Sequence, residues 1–285
     1  MQNQSGIARA MMFIIHKMKL LMEELRIGII GAGNMGGAIA RGLAKSKIIP
    51  EEKIQVSDIS SENLQSLQNL YPKIKTFSSN QDLVANSDVI FLAVKPWILS
   101  SVASEIASKL DYKRQIIVSI AAGISLNELS TAFSPEASIF RLIPNTAIDV
   151  LESSSILSSS NTNAQQEQYI IHLLEALGKV FVVPESQLNA LMSLSSCGIA
   201  YAFRYIRAAC EGGVELGIHP ERAKEVVLQT LRGAIEVLES GGTHPEAEID
   251  KVTTPGGITI KGLNEMEANG FSNAVIKGLK ASFIP

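Results

Sequence analysis

The hexapeptide GAGNMG, Gly31 to Gly36, constrains this chain more than any other stretch. Three glycines at that spacing weaken any regular element they sit in, because glycine loses the most backbone freedom on folding and offers no side chain to pack. The flanks, however, are regular. RIGII before them is an apolar run of strand type, and MGGAIARGLAKS after them is alanine-rich and helical. A strand must therefore turn sharply into a helix. In that setting G-x-G-x-x-G reads as a dinucleotide fingerprint: Gly31 permits the turn, Gly33 lets the backbone approach a pyrophosphate, and Gly36 allows helix and strand to pack closely, with Asn34 and Met35 opening the helix.

The alternation continues. KIQVSD, SDVIFLAV, QIIVSI, SIFRLI and KVFVVP are strand-like, whereas SSENLQSLQNL, ILSSVASEIASKL and NTNAQQEQYIIHLLEALG have helical composition or spacing. Thr162 and Gln165 stand at capping-box spacing in the last of these. The apolar fragment ESSSILSSS is one more strand, and its serine-rich neighbourhood, Ser153 to Asn163, reads as a strand edge and loop. Buried runs separated by helices predict an α/β region over residues 25–184, a doubly wound, mostly parallel sheet with helices on both faces. Its carboxyl edge is where ligands bind. Asp58 ends the second strand, 25 residues after Gly33, placed for an adenine ribose hydroxyl. That favours NADH slightly over NADPH, but Ile59, Ser60 and Ser61 follow, and serines also hold phosphate. AVKP sets Val94, Lys95 and Pro96 at the same edge, and AAG, Ala121 to Gly123, is small enough for a nicotinamide to lie against the backbone.

After Pro184 the alternation stops, and residues 185–285 read as all-helical. SQLNALMSLSSCGIAYAFRYIRAACEGGVELGI is apolar almost all round, which predicts a helix buried on most sides. Arg204, Arg207 and Glu211 argue against a membrane span. So much apolar surface in about a hundred residues is best buried against a second copy, so a homodimer is expected. Residues 1–24 read as an N-terminal extension, an appended arm or a mis-assigned start rather than an amphipathic surface helix, and their apolar run is too short to cross a bilayer. A net charge of −3 and a pI near 5.9 disfavour nucleic acid or an anionic membrane as partner. Cys197 and Cys210 lack metal-ligand spacing and read as buried thiols in a reducing, cytoplasmic compartment; the four histidines share no motif, and no metal is expected.

One stretch of the helical region is built from weak helix formers. In TTPGGITIKG, Thr254 reads as an N-cap and Pro255 as the first helical residue, followed by Gly256 and Gly257 at a cost of about 1 kcal/mol each. Backbone amides unshielded by any Cβ at a helix start make a seat for an anion.

Taken in order and spacing, IGIIGAGNMGGAIARGL, VIFLAVKP, SIAAGIS, RLIPNTA and TTPGGITIKGL resemble the pyrroline-5-carboxylate reductases, from about Arg26 to Lys280. The resemblance implies a Rossmann-like N-terminal domain, an all-helical C-terminal dimerisation domain, and hydride transfer from NADPH or NADH to a cyclic imino acid, giving proline. Assembly as a homodimer, or as a ring of dimers, is implied with it. It further implies that Thr254, Gly256, Gly257 and Ile258 hold the substrate carboxylate, that Thr259 hydrogen-bonds the ring nitrogen as the catalytic contact, and that Asn80, Lys95 and Asn145 lie along the cofactor. The chain departs from the family at SSCGIAY, Ser195 to Tyr201, where Cys197 and Ile199 replace serine and proline. Two other readings compete. A β-hydroxyacid dehydrogenase needs a lysine on the glycine-rich helix, where this chain has arginines, and a non-catalytic dinucleotide sensor has no use for Gly256 and Gly257.

Overall fold

The structure, a computed structural model, describes residues 24–284; all but the last residue of the expected N-terminal extension lies outside them. The described chain divides into two compact units, residues 24–196 with Ile284, and residues 197–283.

The first unit is an eight-stranded sheet in the order β3-β2-β1-β4-β5-β6-β7-β8. The strands are β1 (Ile27–Ile30), β2 (Ile54–Ser57), β3 (Lys75–Phe77), β4 (Val89–Leu92), β5 (Ile116–Ser119), β6 (Ser138–Ile143), β7 (Ser153–Ser160) and β8 (Gly178–Val182). Every neighbouring pair is parallel except β6 and β7. The helices are α1 (Asn34–Ser46), α2 (Ser61–Leu70), α3 (Asn80–Ala85), α4 (Pro96–Ile106), α5 (Leu126–Ala132), α6 (Ala164–Glu175) and α7 (Glu185–Met192).

Strand side chains alternate between faces, which sorts the core into two layers. Ile27, Ile29, Val56, Phe91, Val118 and Phe140 pack with α1 and α6 through Ile39, Leu43, Ile170 and Leu173. Ile30, Ile90, Leu92, Ile117 and Ile139 pack on the other face with α3, α4 and α5 through Leu83, Leu99, Ile106 and Leu129. Ion pairs brace the margins. Asp88 receives the guanidinium of Arg26 at 3.0 Å and that of Arg114. Burial alone would raise its carboxyl, but those donors and charges hold it below the usual carboxylate range. Asp149 is treated likewise: partial burial raises it, and Lys45 and Arg41 more than reverse the effect. Arg141 on β6, 5% exposed, pairs with Glu185 at 3.0 Å and donates to Asn189, tying the sheet to α7.

Several local expectations are corrected. The serine-rich segment is the interior strand β7, between β6 and β8, rather than an edge. Its serines sit inside because the β-ladder satisfies the backbone and Ser155 Oγ donates to Ser153 Oγ, leaving few polar atoms without partners. The capping box of α6 is Asn163 with Gln166, one residue later than Thr162 with Gln165. Thr162 instead donates its hydroxyl to Glu167 at 2.8 Å.

The second unit holds α8 (Gly198–Glu215), α9 (Pro220–Gly241), α10 (Pro245–Val252), α11 (Ile258–Ala268) and α12 (Phe271–Ala281). The long helix expected from Ser186 onward is interrupted by a π-helical segment, Ser193–Cys197, which runs into the divergent SSCGIAY stretch. There Ser196 Oγ donates to Pro144 O at 3.0 Å. Nor is α8 buried on most sides in the single chain: it has no buried residue, and Phe203 is 59% exposed. Among the described residues no helix is long and apolar enough to cross a membrane.

Candidate functional site

A cleft of about 640 Å³ opens at the carboxyl edge of β1, β2, β4 and β5. The fingerprint loop forms its floor. Gly31 has φ +102° and donates its amide to Ser57 O at 2.7 Å, and a Cβ there would stand 2.5 Å from Ala93 O. At Gly36 a Cβ would stand 1.9 Å from Gly31 O, so the first turn of α1 lies directly against the loop. The chain itself therefore demands both glycines. Gly33 is different: its φ is ordinary, and a Cβ would meet nothing within 4 Å. No group of the protein requires glycine at that position. A ligand pressed against the backbone would, and Gly33 lines the cleft.

The start of α1 suits an anion. No side chain caps it and no acidic residue lies in its first turn, so its leading amides and the helix dipole face the cleft. Asn34 and Met35 line the cleft beside them, with Asp58, Asn80, Val94, Lys95, Pro96 and Ala121. Asp58 accepts from the Ala32 amide with one oxygen and from the Ser60 amide, at 2.7 Å, with the other. Asn80 is held at both ends, accepting from Ser57 Oγ at 2.7 Å and donating to Glu105 at 2.9 Å. Lys95 precedes Pro96 at the start of α4, its ammonium 5.9 Å from the centre of the Trp97 ring.

Three expected residues do not line this cleft: Gly36, buried against Gly31, and two others. Gly123 is exposed with φ +78°. Asn145 is buried and caps a 3₁₀ turn, Thr146–Val150, by accepting from Ala147 N at 3.1 Å. The fingerprint does not point to the apolar part of the lining. Ile98, Val102, Ile120, Ile143 and Met192 form it, and Ile59 stands fully exposed beside Asp58. Polar loops fitted to a pyrophosphate, a carboxylate at the end of β2 and a small-residue wall at β5 suit a dinucleotide. Among the described residues no group of His, Cys, Asp and Glu is placed to hold a metal ion.

In the helical unit, Thr253 to Gly257 is a turn rather than a helix start. Gly257 N donates to Thr254 O at 2.9 Å, with Pro255 and Gly256 between them and φ +72° at Gly256. That pattern, proline followed by a left-handed glycine, is a type II turn. The N-cap of α11 is therefore Gly257, and Ile258 its first residue; the expected N-cap at Thr254 is corrected by three positions, because positive φ at Gly256 cannot continue a helix. No side chain caps α11 and no acidic residue lies in its first turn, but the residues of that turn, Ile258, Thr259 and Ile260, carry side chains, so of the expected glycine pair only Gly257, at the N-cap, adjoins the helix. Thr254 Oγ1 packs so close to Gly257 that a Cβ there would lie 2.6 Å from it. Thr254, Gly256, Ile258 and Thr259 are exposed in the chain.

Comparison with known proteins agrees with both units. Residues 185–283 match the family described as pyrroline-5-carboxylate reductase dimerisation, and residues 26–123 match NADP oxidoreductase coenzyme F420-dependent. A pyrroline-5-carboxylate reductase of Arabidopsis thaliana is 36% identical over 265 residues, covering 91% of this chain and 95% of that protein. One from Methanosarcina acetivorans is 35% identical, covering 92% and 98%. The crystal structure of the Plasmodium falciparum pyrroline carboxylate reductase with NADP bound superposes with a TM-score of 0.85 at 30% identity, over 92% of this chain and 96% of that one. With relatives this similar along nearly its whole length, a fingerprint cleft at the sheet edge and a matching C-terminal helical region, the chain belongs to the pyrroline-5-carboxylate reductase family.

Proposed function

We propose that this protein reduces Δ1-pyrroline-5-carboxylate to L-proline with NADPH or NADH, acting as a homodimer in the cytoplasm. Gly33 carries the reading. It is the one fingerprint glycine whose missing side chain the protein does not need and a dinucleotide does. In this reading the sheet unit holds the cofactor, which supplies the hydride. Gly33, Asn34, Met35 and Gly36 offer the amides of the α1 start to its pyrophosphate, while Lys95 and Asn80 lie along its length. Gly123, Asn145 and Ala121 shape the chain around the nicotinamide end.

The helical unit holds the acid. Its carboxylate accepts from the amides of Gly256 and Ile258 and from the Thr254 hydroxyl, at the positive end of α11. Gly257, whose own amide closes the turn, keeps the approach clear for that hydroxyl. Thr259 hydrogen-bonds the ring nitrogen and orients the C=N carbon. A protonated imine is already a good electrophile, so positioning suffices and no strongly perturbed general acid is required. Residues 185–285 thus serve as substrate-binding and dimerisation domain and residues 25–184 as the dinucleotide domain. Dimers further assembling into a ring extend the same reading.

The test is oxidation of NADPH and NADH with pyrroline-5-carboxylate and with its six-membered homologue. Gly257→Val raises KM at least about tenfold by displacing the Thr254 hydroxyl, while Thr259→Ala chiefly lowers kcat. Absence of turnover with either imine, in protein that is folded and dimeric, overturns the proposal.

A further inference from the structure

Family membership leaves the choice between the two nicotinamide cofactors open, and the end of β2 speaks to it. The two differ only by a phosphate on the adenine ribose, and in open α/β folds that ribose meets the acidic residue ending the second strand. Here that residue is Asp58, and the loop fixes it. One of its oxygens takes the Ala32 amide from the fingerprint loop and the other the Ser60 amide. A carboxylate has about four acceptor positions, so lone pairs remain for a ribose diol while the group stays aimed into the cleft. It cannot swing away without releasing the loop that binds the pyrophosphate.

Among the described residues no arginine lines the cleft around it. Ile59 is the next residue and stands fully exposed. Ser60 is the N-cap of α2, its hydroxyl oxygen accepting from Asn63 N at 3.3 Å and leaving its proton as the only group it could offer a phosphate, and Glu62 adds a second negative charge to the first turn of that helix. Ser57 donates its hydroxyl to Asn80. Among the described residues Lys95 is the one cation lining the cleft, and it leaves from β4. In the order β2-β1-β4 that is two strand positions away, roughly 10 Å at the usual strand spacing. Arg41 lies outside this lining and is bound by Asp149 at 2.8 Å.

We propose that Asp58 makes this protein select NADH over NADPH, accepting the two ribose hydroxyls of the first and repelling the 2′-phosphate of the second. The inference rests on the dinucleotide reading of the cleft. Binding measures it independently of turnover. The chain has a single tryptophan, Trp97, exposed beside Lys95 and Pro96 of the lining, so quenching of its fluorescence follows NADH and NADPH directly. We expect wild type to bind NADH at least about tenfold tighter than NADPH at low salt, a charge effect that shrinks as ionic strength rises.

Asp58→Asn keeps one of the two acceptors the loop uses and removes the charge, and should bring the two affinities together. Ile59→Arg leaves every hydrogen bond of the loop in place and should tighten NADPH alone. Wild type binding NADPH as tightly as NADH overturns the inference. So does a preference for NADH that survives Asp58→Asn. Failure of folded protein to bind either cofactor instead overturns the dinucleotide reading of the cleft, and the inference with it.

Discussion

The sheet unit and the helical unit are both rich in apolar residues, and they dispose of them in opposite ways. In the sheet unit Ile27, Ile29, Ile54, Phe91 and Leu142 have no exposed surface, because helices of the same chain cover both faces. In residues 197–283, Ala223 is the sole buried residue among those described, while Phe203, Leu216, Val226, Ile235 and Ile276 are more than half exposed. Each such side chain gains about 1.5–3 kcal/mol when fully buried, so leaving a face of them in water is costly. The region that does so is the one matching the family's dimerisation domain. The contrast teaches that one unit is stabilised by its own chain and the other by a second copy, which makes the stability of the second dependent on concentration.

The sharpest way to break that comparison is to charge the exposed face. Phe203→Glu with Ile235→Glu should give a monomer by light scattering, remove at least about a hundredfold of the turnover, and leave a separate melting transition for the sheet unit. A fully active monomer would end the distinction. Next in size is a pair within the fingerprint. Gly36→Val forces a side chain into Gly31 O and should destabilise the sheet unit by about 3 kcal/mol. Gly33→Val should alter stability by no more than about 0.5 kcal/mol yet weaken cofactor binding about a hundredfold, because the space its side chain takes is the ligand's. Equal effects in chemical denaturation and cofactor titration would mean both glycines serve the fold.

In the helical unit, Gly256→Ala imposes a left-handed conformation on alanine and should cost about 1–2 kcal/mol, read as a lower midpoint for that unit alone. The smallest effect is in acid. Asp88 and Asp149 titrate lower in the folded chain than unfolded, so their contribution is complete above the unfolded value, about 3.9, and is lost as pH falls through the folded one. Both lie in the sheet unit. Its melting temperature should therefore fall below about pH 4, and Asp88→Asn should flatten that fall while lowering stability at neutral pH. An unchanged acid profile in Asp88→Asn would remove Asp88 from the account.

Much of the sheet unit is legible in the sequence, because its elements are set locally. RIGII, SDVIFLAV, QIIVSI and SIFRLI are apolar runs of strand length that became β1, β4, β5 and β6, and the fingerprint marks the β1–α1 turn to the residue. Some elements not read, such as α3 and α5, are short, although α5 opens on a Ser125–Glu128 capping box, and two others have weak local signals. Strand β3 is three residues, Lys75–Phe77, with no apolar run and pairing on one side only. The π segment at Ser193–Cys197 depends on one extra residue per turn, which leaves no mark in a helical pattern. At the second site the glycines were legible and their geometry was not. Proline suits a helix start and a type II turn equally, and it took the positive φ of Gly256 to separate them.

By itself, then, the sequence determined the order of the longer strands and helices, the place of the dinucleotide turn and the family, because periodicity and glycine spacing act over a few residues. Only the tertiary structure decided that Asp58 is tied to the Ala32 and Ser60 amides, that Asn145 caps a turn instead of lining the cleft, and that the apolar helices stay uncovered in one chain. Those facts depend on groups distant in sequence meeting, or failing to meet, in space, and a residue's type does not specify its partner.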